Sequence, residues 1–294
     1  MSEMALSDVR GSRGLWSGAA ARIKQNRVAV IAASVIVALA ILALSGPAFS
    51  RYTYDALDWQ HLAAAPSATA SHWLGTDRLG RDLLVRTLCG IRISLLISLM
   101  ATAISLAIGV AWGSMAGYIG GRTDEIMMRF VDVLYSLPYL FIVIILMTVF
   151  QRGSLPVLFC AIGAVGWLTM ARIVRGQTLA LNRREFIEAA RAGGLGTPAI
   201  LLRHIIPNLI GPIVVYTTLT IPIYILGEAG LSFLGVGVTY PTASWGQMLS
   251  DAGNYFQIDP FYLIVPGITI FIAVLSFNLF GDGLRDALDP KSTR

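Results

Sequence analysis

The sequence has few charged residues and almost no lysine. Only 13% of its 294 residues are Asp, Glu, Lys or Arg, about half the share usual in a soluble domain. Lys24 and Lys291 are the two lysines, and arginine supplies the other basic residues. Neither lysine lies in a G-x-x-x-x-G-K-[ST] loop, which cradles nucleotide phosphates. This scarcity argues against a soluble domain and excludes a phosphate-loop ATPase.

Cysteine and histidine are scarce as well. Cys89 and Cys160 lie far apart without metal-ligand spacing, so we predict neither a disulfide nor a metal site. His61 and His72 lie in a different part of the predicted topology from His204, which makes a site shared by all three implausible. No Ser/His/Asp grouping stands out. We therefore expect no catalytic residue, no metal and no cofactor bound by this chain.

Long apolar runs dominate the sequence. Hydrophobic residues make up 55% of it, and several runs approach the ~20 residues needed to cross a bilayer. We predict an all-α, polytopic membrane protein with six transmembrane helices, at 28–49, 93–118, 134–150, 157–174, 209–229 and 261–280. The predicted segments are an N-terminal cytoplasmic segment, a first span, an extracytoplasmic segment, a core transmembrane domain and a cytoplasmic tail, at 1–27, 28–49, 50–92, 93–281 and 282–294.

The positions of lysine and arginine predict the orientation of these spans. Sixteen of the 22 basic residues lie in segments that six spans place on one side of the membrane, and six lie on the other side. Basic residues concentrate in cytoplasmic segments, so we expect both termini in the cytoplasm. The net charge of +5 is assigned to topology and to contacts with membrane lipids, with no role in binding nucleic acid.

The segment 182–208, between predicted spans four and five, is polar and interrupted by glycine. Asn182 as N-cap with Glu185 three residues later predicts a short helix, which Gly193-Gly194 ends. Thr197-Pro198 then predicts the start of a second short helix. The segment is therefore expected to hold two short helices at an angle, each tied to a span.

The first of these short helices carries charged and small side chains. Arg184, Glu188 and Arg191 fall at i, i+4 and i+7 and form one charged stripe. Small residues allow another protein to approach the backbone closely, at Ala189, Ala190 and Gly194. Two interpretations stay open from the residues alone: a docking element for another protein, and an interfacial hairpin lying on lipid headgroups.

The order Glu188-Ala189-Ala190, Gly194 and His204-x-x-Pro207-Asn208 resembles the EAA loop of ABC importer permeases. Its ending departs from the usual Ile-x-Leu-Pro-like form and is similar to the peptide/nickel branch, in particular the C-type subunit of oligopeptide or dipeptide importers. Further stretches match that branch in order: GTDRLGRD (75–82), GIRISL (90–95), MRFVDVLYSLP (128–138), SFLGVG (232–237), SWGQML (244–249) and FNLFGDGLRDALDP (277–290).

The resemblance implies a type I ABC importer transmembrane domain in the bacterial inner membrane. It implies a non-catalytic permease subunit that forms half of a pathway for peptides, with oligopeptides favoured. The implied partners are a second homologous permease subunit, two cytoplasmic ATPases that bind ATP and Mg, and an extracytoplasmic solute-binding protein. The implied coupling residues, with the charged stripe and Glu185 added from helical spacing and capping, are Arg184, Glu185, Glu188, Ala189, Ala190, Arg191, Gly194, His204, Pro207 and Asn208.

Polar and proline residues in the predicted spans suggest a translocation path or gate. Pro212 and Pro222 are expected to kink span five and expose carbonyl groups. Glu228 is either near an outer gate or an acid that pairs with nearby backbone or an arginine. Asp132, at the inner edge of span three, is the other acid considered for ion coupling. Trp245 is expected in an interfacial aromatic belt.

Several alternatives remain open from the sequence. The same kind of machine could carry dipeptides, nickel or another solute. A self-sufficient secondary transporter would need acids within its spans, and two acids at span edges support this only weakly. A membrane scaffold without a transport role is the third. The glycines at 109, 113 and 117 form a smooth stripe on span two. Two interpretations stay open: the stripe allows close helix packing, or it reflects only the general frequency of glycine in membrane helices.

Overall fold

The computed structural model describes residues 15–67, 72–150 and 153–288, except residues 254, 256 and 258. Within these residues the ordered elements are helices, and the only strand-like pairing is an isolated bridge between Thr76 and Asp82. The prediction of an all-α fold is therefore confirmed. Parts of the predicted segments lie outside the described residues: 1–14 at the N-terminus, 68–71 in the extracytoplasmic segment, 151–152 in the loop after span three, 254, 256 and 258 before span six, and 289–294 in the tail.

The described helices follow one another with few long connections. Their bounds are α1 (Leu15–Gln25), α2 (Arg27–Phe49), α3 (Leu83–Ile119), α4 (Gly121–Tyr135), α5 (Tyr139–Phe150), α6 (Leu155–Leu181), α7 (Glu185–Ala192), α8 (Thr197–Ile200), a π-helical turn (Leu201–Ile205), α9 (Ile206–Phe233), α10 (Trp245–Gly253) and α11 (Pro260–Leu288).

Five of these helices are long and apolar enough to cross a membrane, and the bent pair α4–α5 makes six when counted as one crossing. The helices run between two ends of the molecule, named here the α7 end and the α10 end after the short helix at each. Close contacts fix this arrangement: Gly283 near the end of α11 packs on Ala29, and Gly46 near the end of α2 packs on Leu88. Gly153, after α5, packs on Thr239 near α10.

The predicted third span is not one straight helix. The prediction for 134–150 is wrong in this respect, because the chain bends by 83° between α4 and α5. Pro138 lies in the break and lacks the N–H that would continue the helix, and proline also disfavours helical geometry at the residue before it. The N–H of Phe141 bonds to the Pro138 carbonyl at 3.0 Å and starts α5 on the new axis.

Several helices extend beyond the predicted spans. The helix that contains span two begins at Leu83, not near Ile93, because the Asp82 carboxylate accepts a bond from the Val85 N–H at 2.9 Å and caps it. Residues 83–92, predicted as part of the extracytoplasmic segment, therefore form the first turns of this spanning helix. At the C-terminus, α11 reaches Leu288, so the predicted tail from 282 begins as helix.

A stripe of glycines brings α3 and α6 into backbone contact, as the close-packing interpretation predicts. A Cβ atom added at Gly109 would lie 2.6 Å from Met170 Cβ, and one added at Gly113 would lie 2.4 Å from the Ala171 carbonyl oxygen. Real side chains cannot approach this closely, so only glycine fits between the two helices.

We expect Gly113→Ala to lower the free energy of unfolding by about 1–3 kcal/mol, because the added methyl forces the two backbones apart. The melting temperature of the purified chain should fall accordingly. Gly176→Ala in α6 is the matched control, since a Cβ there meets nothing within 4 Å. Thermal melts of both variants in detergent test this. Equal melting temperatures for the two variants would show that the close α3–α6 approach is not needed.

Large apolar side chains cover much of the outside of the bundle. On α5, Phe141, Ile145 and Val149 are 65%, 59% and 70% exposed and share one face of the helix. Inside, α5 contributes Val143 and Met147 to a fully buried cluster with residues of α3 and α6. An apolar exterior around a packed interior is the arrangement that a bilayer requires.

Candidate functional site

The predicted coupling segment, 182–208, lies at the α7 end, but α7 is not capped as the sequence predicts. Asn182 does not act as its N-cap; it ends α6, and α7 begins at Glu185 without a side-chain cap. The Asn182 carboxamide donates to the Tyr118 carbonyl at 3.0 Å and accepts a bond from the Arg191 guanidinium. Its side chain is therefore used to join the end of α3 to α7.

One face of α7 is fastened to the transmembrane helices. Ile187 is fully buried in a cluster with Ile200, Ile205 and Leu209 from the segment that starts α9. Arg191 Nε also lies 3.3 Å from the hydroxyl oxygen of Tyr118, at the end of α3. Because α7 contacts α3, α6 and the start of α9 together, it is held as part of a rigid unit.

The other face of α7 is open to solvent. Arg184, Glu185, Glu188 and Ala189 are exposed, and Ala190 is half-buried. Arg191 is exposed but engages Asn182 and Tyr118 of its own chain, so the charged stripe is divided between the two faces. Phe186 also faces outward and is 42% exposed, but the sequence analysis did not include it among the coupling residues. The signal that could have identified it is an aromatic residue beside the apolar Ile187, which is buried.

Gly193 and Gly194 end α7, as predicted. Gly194 has a φ of +79°, which favours glycine, and the Leu195 N–H returns to the Ala190 carbonyl at 3.2 Å. A Cβ placed on Gly194 meets nothing within 4 Å. The turn is therefore open on the side where another protein could approach.

The second short helix is not a separate element. Thr197–Phe233 runs as one helix, with the π-helical turn Leu201–Ile205 inside it. Pro207 explains this local form, since its ring crowds the carbonyl four residues earlier and a wider turn relieves the crowding. His204 is half-buried, and its carbonyl accepts a bond from the Asn208 carboxamide at 2.6 Å. The turn after α7 is thus joined directly to a spanning helix.

Pro212 and Pro222 both lie inside α9, which passes through them without a break. Pro222 is buried and Pro212 half-buried. Each proline removes one backbone bond, so the carbonyls of Asn208 and Thr218 lose their usual partners. Lining of a translocation path by this helix stays a prediction.

Glu228 lies in a fully buried network at the α10 end. Ser94 Oγ of α3 donates to one carboxyl oxygen at 2.8 Å, and Ser232 Oγ donates to the other at 2.7 Å. Each hydroxyl also accepts a backbone N–H, from Trp245 at 3.1 Å and from Val238 at 2.9 Å. The partners found for Glu228 among the described residues are hydroxyl groups, which differs from the backbone or arginine partner of the second interpretation. A place near an outer gate stays a prediction.

Trp245 is also placed differently from the prediction. It is fully buried between α10 and the spanning helices, not in an interfacial belt. The backbone N–H of Trp245 donates to Ser94 of the Glu228 network, and this attachment holds the residue inside the fold. Tyr240 is 48% exposed and lies with its ring centroid 4.4 Å from the Arg81 guanidinium carbon.

The other acid considered for ion coupling is paired with an arginine. Arg172 donates to Asp132 at 2.8 Å, and one turn further along α6 Arg175 binds both carboxyl oxygens of Asp124, at 2.5 and 2.6 Å. A cleft of about 450 Å³ lies beside them, lined by Asp124, Glu125, Met128, Arg129, Asp132, Arg172 and Arg175. The two acids considered for ion coupling, Asp132 and Glu228, therefore both have hydrogen-bond partners within the chain.

The fold is shared with a chain of a solved ABC transporter. A chain of the inward-facing MetNI methionine ABC transporter superposes with a TM-score of 0.58 at 17% sequence identity, covering 69% of this chain and 96% of that chain. At this identity the likeness concerns the fold alone. The arrangement of helices is that of the transmembrane domain of an ABC transporter.

Sequence comparison defines the family. Residues 109–294 match the model described as the binding-protein-dependent transport system inner membrane component, and residues 14–66 match the N-terminal transmembrane domain of oligopeptide transport permease C. This chain belongs to the family of binding-protein-dependent transport system inner membrane components, and it is a multi-pass inner-membrane protein.

Curated relatives resemble the chain along nearly its whole length. It is 46% identical over 279 residues to the oligopeptide transport system permease protein OppC of Haemophilus influenzae, covering 95% of this chain and 89% of the relative. It is 46% identical to OppC of Bacillus subtilis over 280 residues, covering 95% and 91%. The dipeptide transport system permease protein DppC of the same species is 42% identical, covering 93% and 85%. The resemblance to importer permeases is confirmed.

Proposed function

We propose that this chain forms half of the transmembrane pathway of a bacterial ABC importer for peptides, with oligopeptides as its cargo. Support for the cargo comes from relatives named as oligopeptide permeases, which are 46% identical over most of their length. A second, related permease subunit forms the other half. A solute-binding protein delivers the peptide at the α10 end, and two ATPases bind at the α7 end.

The observation that carries this proposal is the construction of α7. Its inner face is anchored by the fully buried Ile187, and its outer face presents Glu188 and Ala189 to solvent. A rigid element of this kind transmits a push to α3, α6 and α9 together. The chain lacks a phosphate-binding loop of its own, so the work comes from partner subunits that bind ATP and Mg.

The mechanism follows from this attachment. When ATP closes the ATPase dimer, the α7 helices of the two permease subunits move together, and the attached spans change from inward-open to outward-open. Hydrolysis then resets them. In this orientation the α7 end is cytoplasmic, as the excess of basic residues on that side supports. Because α2 begins and α11 ends at the α7 end, the proposal puts both termini on the cytoplasmic side.

A secondary transporter gains little support from the arrangement of acids. Such a protein needs a carboxylate that exchanges protons or ions along the path. Asp132 is paired with Arg172, and Glu228 is enclosed by serine hydroxyls. Dipeptides or nickel remain alternative cargoes of the same machine.

Reconstitution in liposomes tests the proposal. We expect the permease pair, the ATPases and the binding protein together to take up labelled oligopeptides only when ATP is supplied on the ATPase side. Labelled dipeptides and Ni²⁺ serve as competing cargoes. Saturable Ni²⁺ uptake without peptide uptake would contradict the peptide cargo. Uptake driven by a proton gradient without ATPases would contradict the ABC mechanism itself.

A further inference from the structure

A cluster of metal-ligating side chains lies in the loop between α2 and α3. Asp58, His61 and His72 each place one ligand atom within 4.8 Å of the others. Asp58 Oδ2 is 2.9 Å from His61 Nδ1 and 3.3 Å from His72 Nε2. Neither this cluster nor the loop that holds it takes part in the coupling described above.

The hydrogen bond at Nδ1 of His72 determines whether its other ring nitrogen, Nε2, can bind a cation. His72 Nδ1 lies 2.8 Å from Asp82 Oδ2, and both side chains are about 3% exposed. A carboxylate only accepts hydrogen bonds, so Nδ1 carries the proton. The Nε2 atom is then the nitrogen available to coordinate a cation, and it lies 3.3 Å from Asp58 Oδ2.

We propose that Asp58, His61 and His72 bind a divalent transition-metal ion of the zinc type, with Asp82 as a positioning residue. Two imidazole nitrogens and one carboxylate oxygen form a zinc ligand set that leaves a fourth position for water. A carboxylate that accepts the other ring N–H of a ligating histidine is the usual support for such a ligand. This proposal departs from the sequence-based prediction of no metal site.

The distances fit such an ion with small movements. Bonds of about 2.0–2.2 Å in a tetrahedral site separate the ligand atoms by roughly 3.3 Å, which matches the Asp58–His72 distance of 3.3 Å. The His61 side chain is 49% exposed and is free to turn toward the ion. The ring of Tyr52 stacks on His72 with centroids 4.5 Å apart and holds the imidazole plane.

The ion would fasten this loop to the first turn of α3. Asp82 bonds to His72 with one carboxyl oxygen and caps α3 with the other, which accepts the Val85 N–H at 2.9 Å. A metal held by His72 is thus linked to the start of a spanning helix through two hydrogen bonds, both made by Asp82. We expect binding to stabilise the α10 end of the fold.

Titration of the purified full chain, without a histidine tag and after treatment with a chelator, tests the site. We expect one Co²⁺ per chain with the visible absorption of a tetrahedral site, displaced by Zn²⁺, and a rise in melting temperature with Zn²⁺. His61→Ala should weaken Co²⁺ binding at least about tenfold and remove the stabilisation. His204→Gln is the matched control and should leave both unchanged.

Asp82→Asn tests the positioning role. Asparagine keeps the helix cap but no longer accepts the histidine proton as a carboxylate does, so we expect Co²⁺ affinity to fall about 10- to 100-fold. Binding by His61→Ala equal to that of the unmodified chain would overturn the site, as would failure of the folded, unmodified chain to bind Co²⁺ or Zn²⁺. Because the His61 side chain is half exposed, its replacement leaves the fold intact.

Discussion

Gly194→Asp is expected to reduce ATP-driven uptake about 100-fold while the chain still inserts and folds. The position has a φ of +79° and open space around it, and aspartate tolerates this conformation at a cost of about 1–2 kcal/mol. In the proposed assembly, with the ATPases at the α7 end, the new carboxylate would be buried against the ATPase without a partner. An unpaired charge at an interface costs on the order of 2–5 kcal/mol, which accounts for the loss.

Gly194→Asn separates the charge from the conformation. Asparagine has the same shape as aspartate and accepts positive φ equally well, but it adds no charge. We expect this variant to keep most of the uptake. Uptake in proteoliposomes and the amount of ATPase that copurifies are the two measurements. Normal uptake and normal ATPase content in Gly194→Asp would show that the turn after α7 does not dock there.

Glu228→Ala is expected to destabilise the chain by about 2–4 kcal/mol and to abolish most transport. The change leaves a cavity, and it leaves the hydroxyl hydrogens of Ser94 and Ser232 without the acceptors that they have now. Each buried polar group left unsatisfied costs about 1–3 kcal/mol. Because Ser94 also accepts the Trp245 N–H, α10 should loosen from α3 and α9.

Glu228→Gln is the matched variant, because it keeps the volume and one acceptor oxygen. One of the two serine hydroxyls then faces an amide that cannot accept its hydrogen, so we expect a loss of about 1 kcal/mol. Melting temperatures in detergent and protease access to α10 measure the effect. If the Glu228→Ala chain has the same melting temperature as the unmodified chain, the network has no structural role.

The spans most accurately predicted from sequence are those set by local patterns. The first was predicted at 28–49 and is observed at Arg27–Phe49, because a continuous apolar run forms a helix wherever it meets a bilayer. The stop at Gly193-Gly194 was also predicted, since positive φ is a property of the residue itself. Both signals lie within a few neighbouring residues.

Features that depend on distant partners could not be read from the sequence. Glu228 and Ser94 are 134 residues apart, and Asn182 meets Tyr118 across 64 residues. An asparagine before a helix is predicted to cap it from its local position alone. Nothing in the neighbouring residues showed that the Asn182 side chain would bond to Tyr118 and Arg191 instead. The bend at Pro138 was missed for a related reason, because proline within a span permits a kink without setting its angle.

Local patterns establish the class of the protein: an apolar chain of spanning helices, without a phosphate loop, that carries a polar segment at 182–208. Which face of α7 is held and which is free depends on the packing of distant helices, as does the meeting of Asp58, His61 and His72. Hydropathy and glycine conformation act over only a few residues. The partners of a buried or ligating side chain are chosen only when distant segments pack.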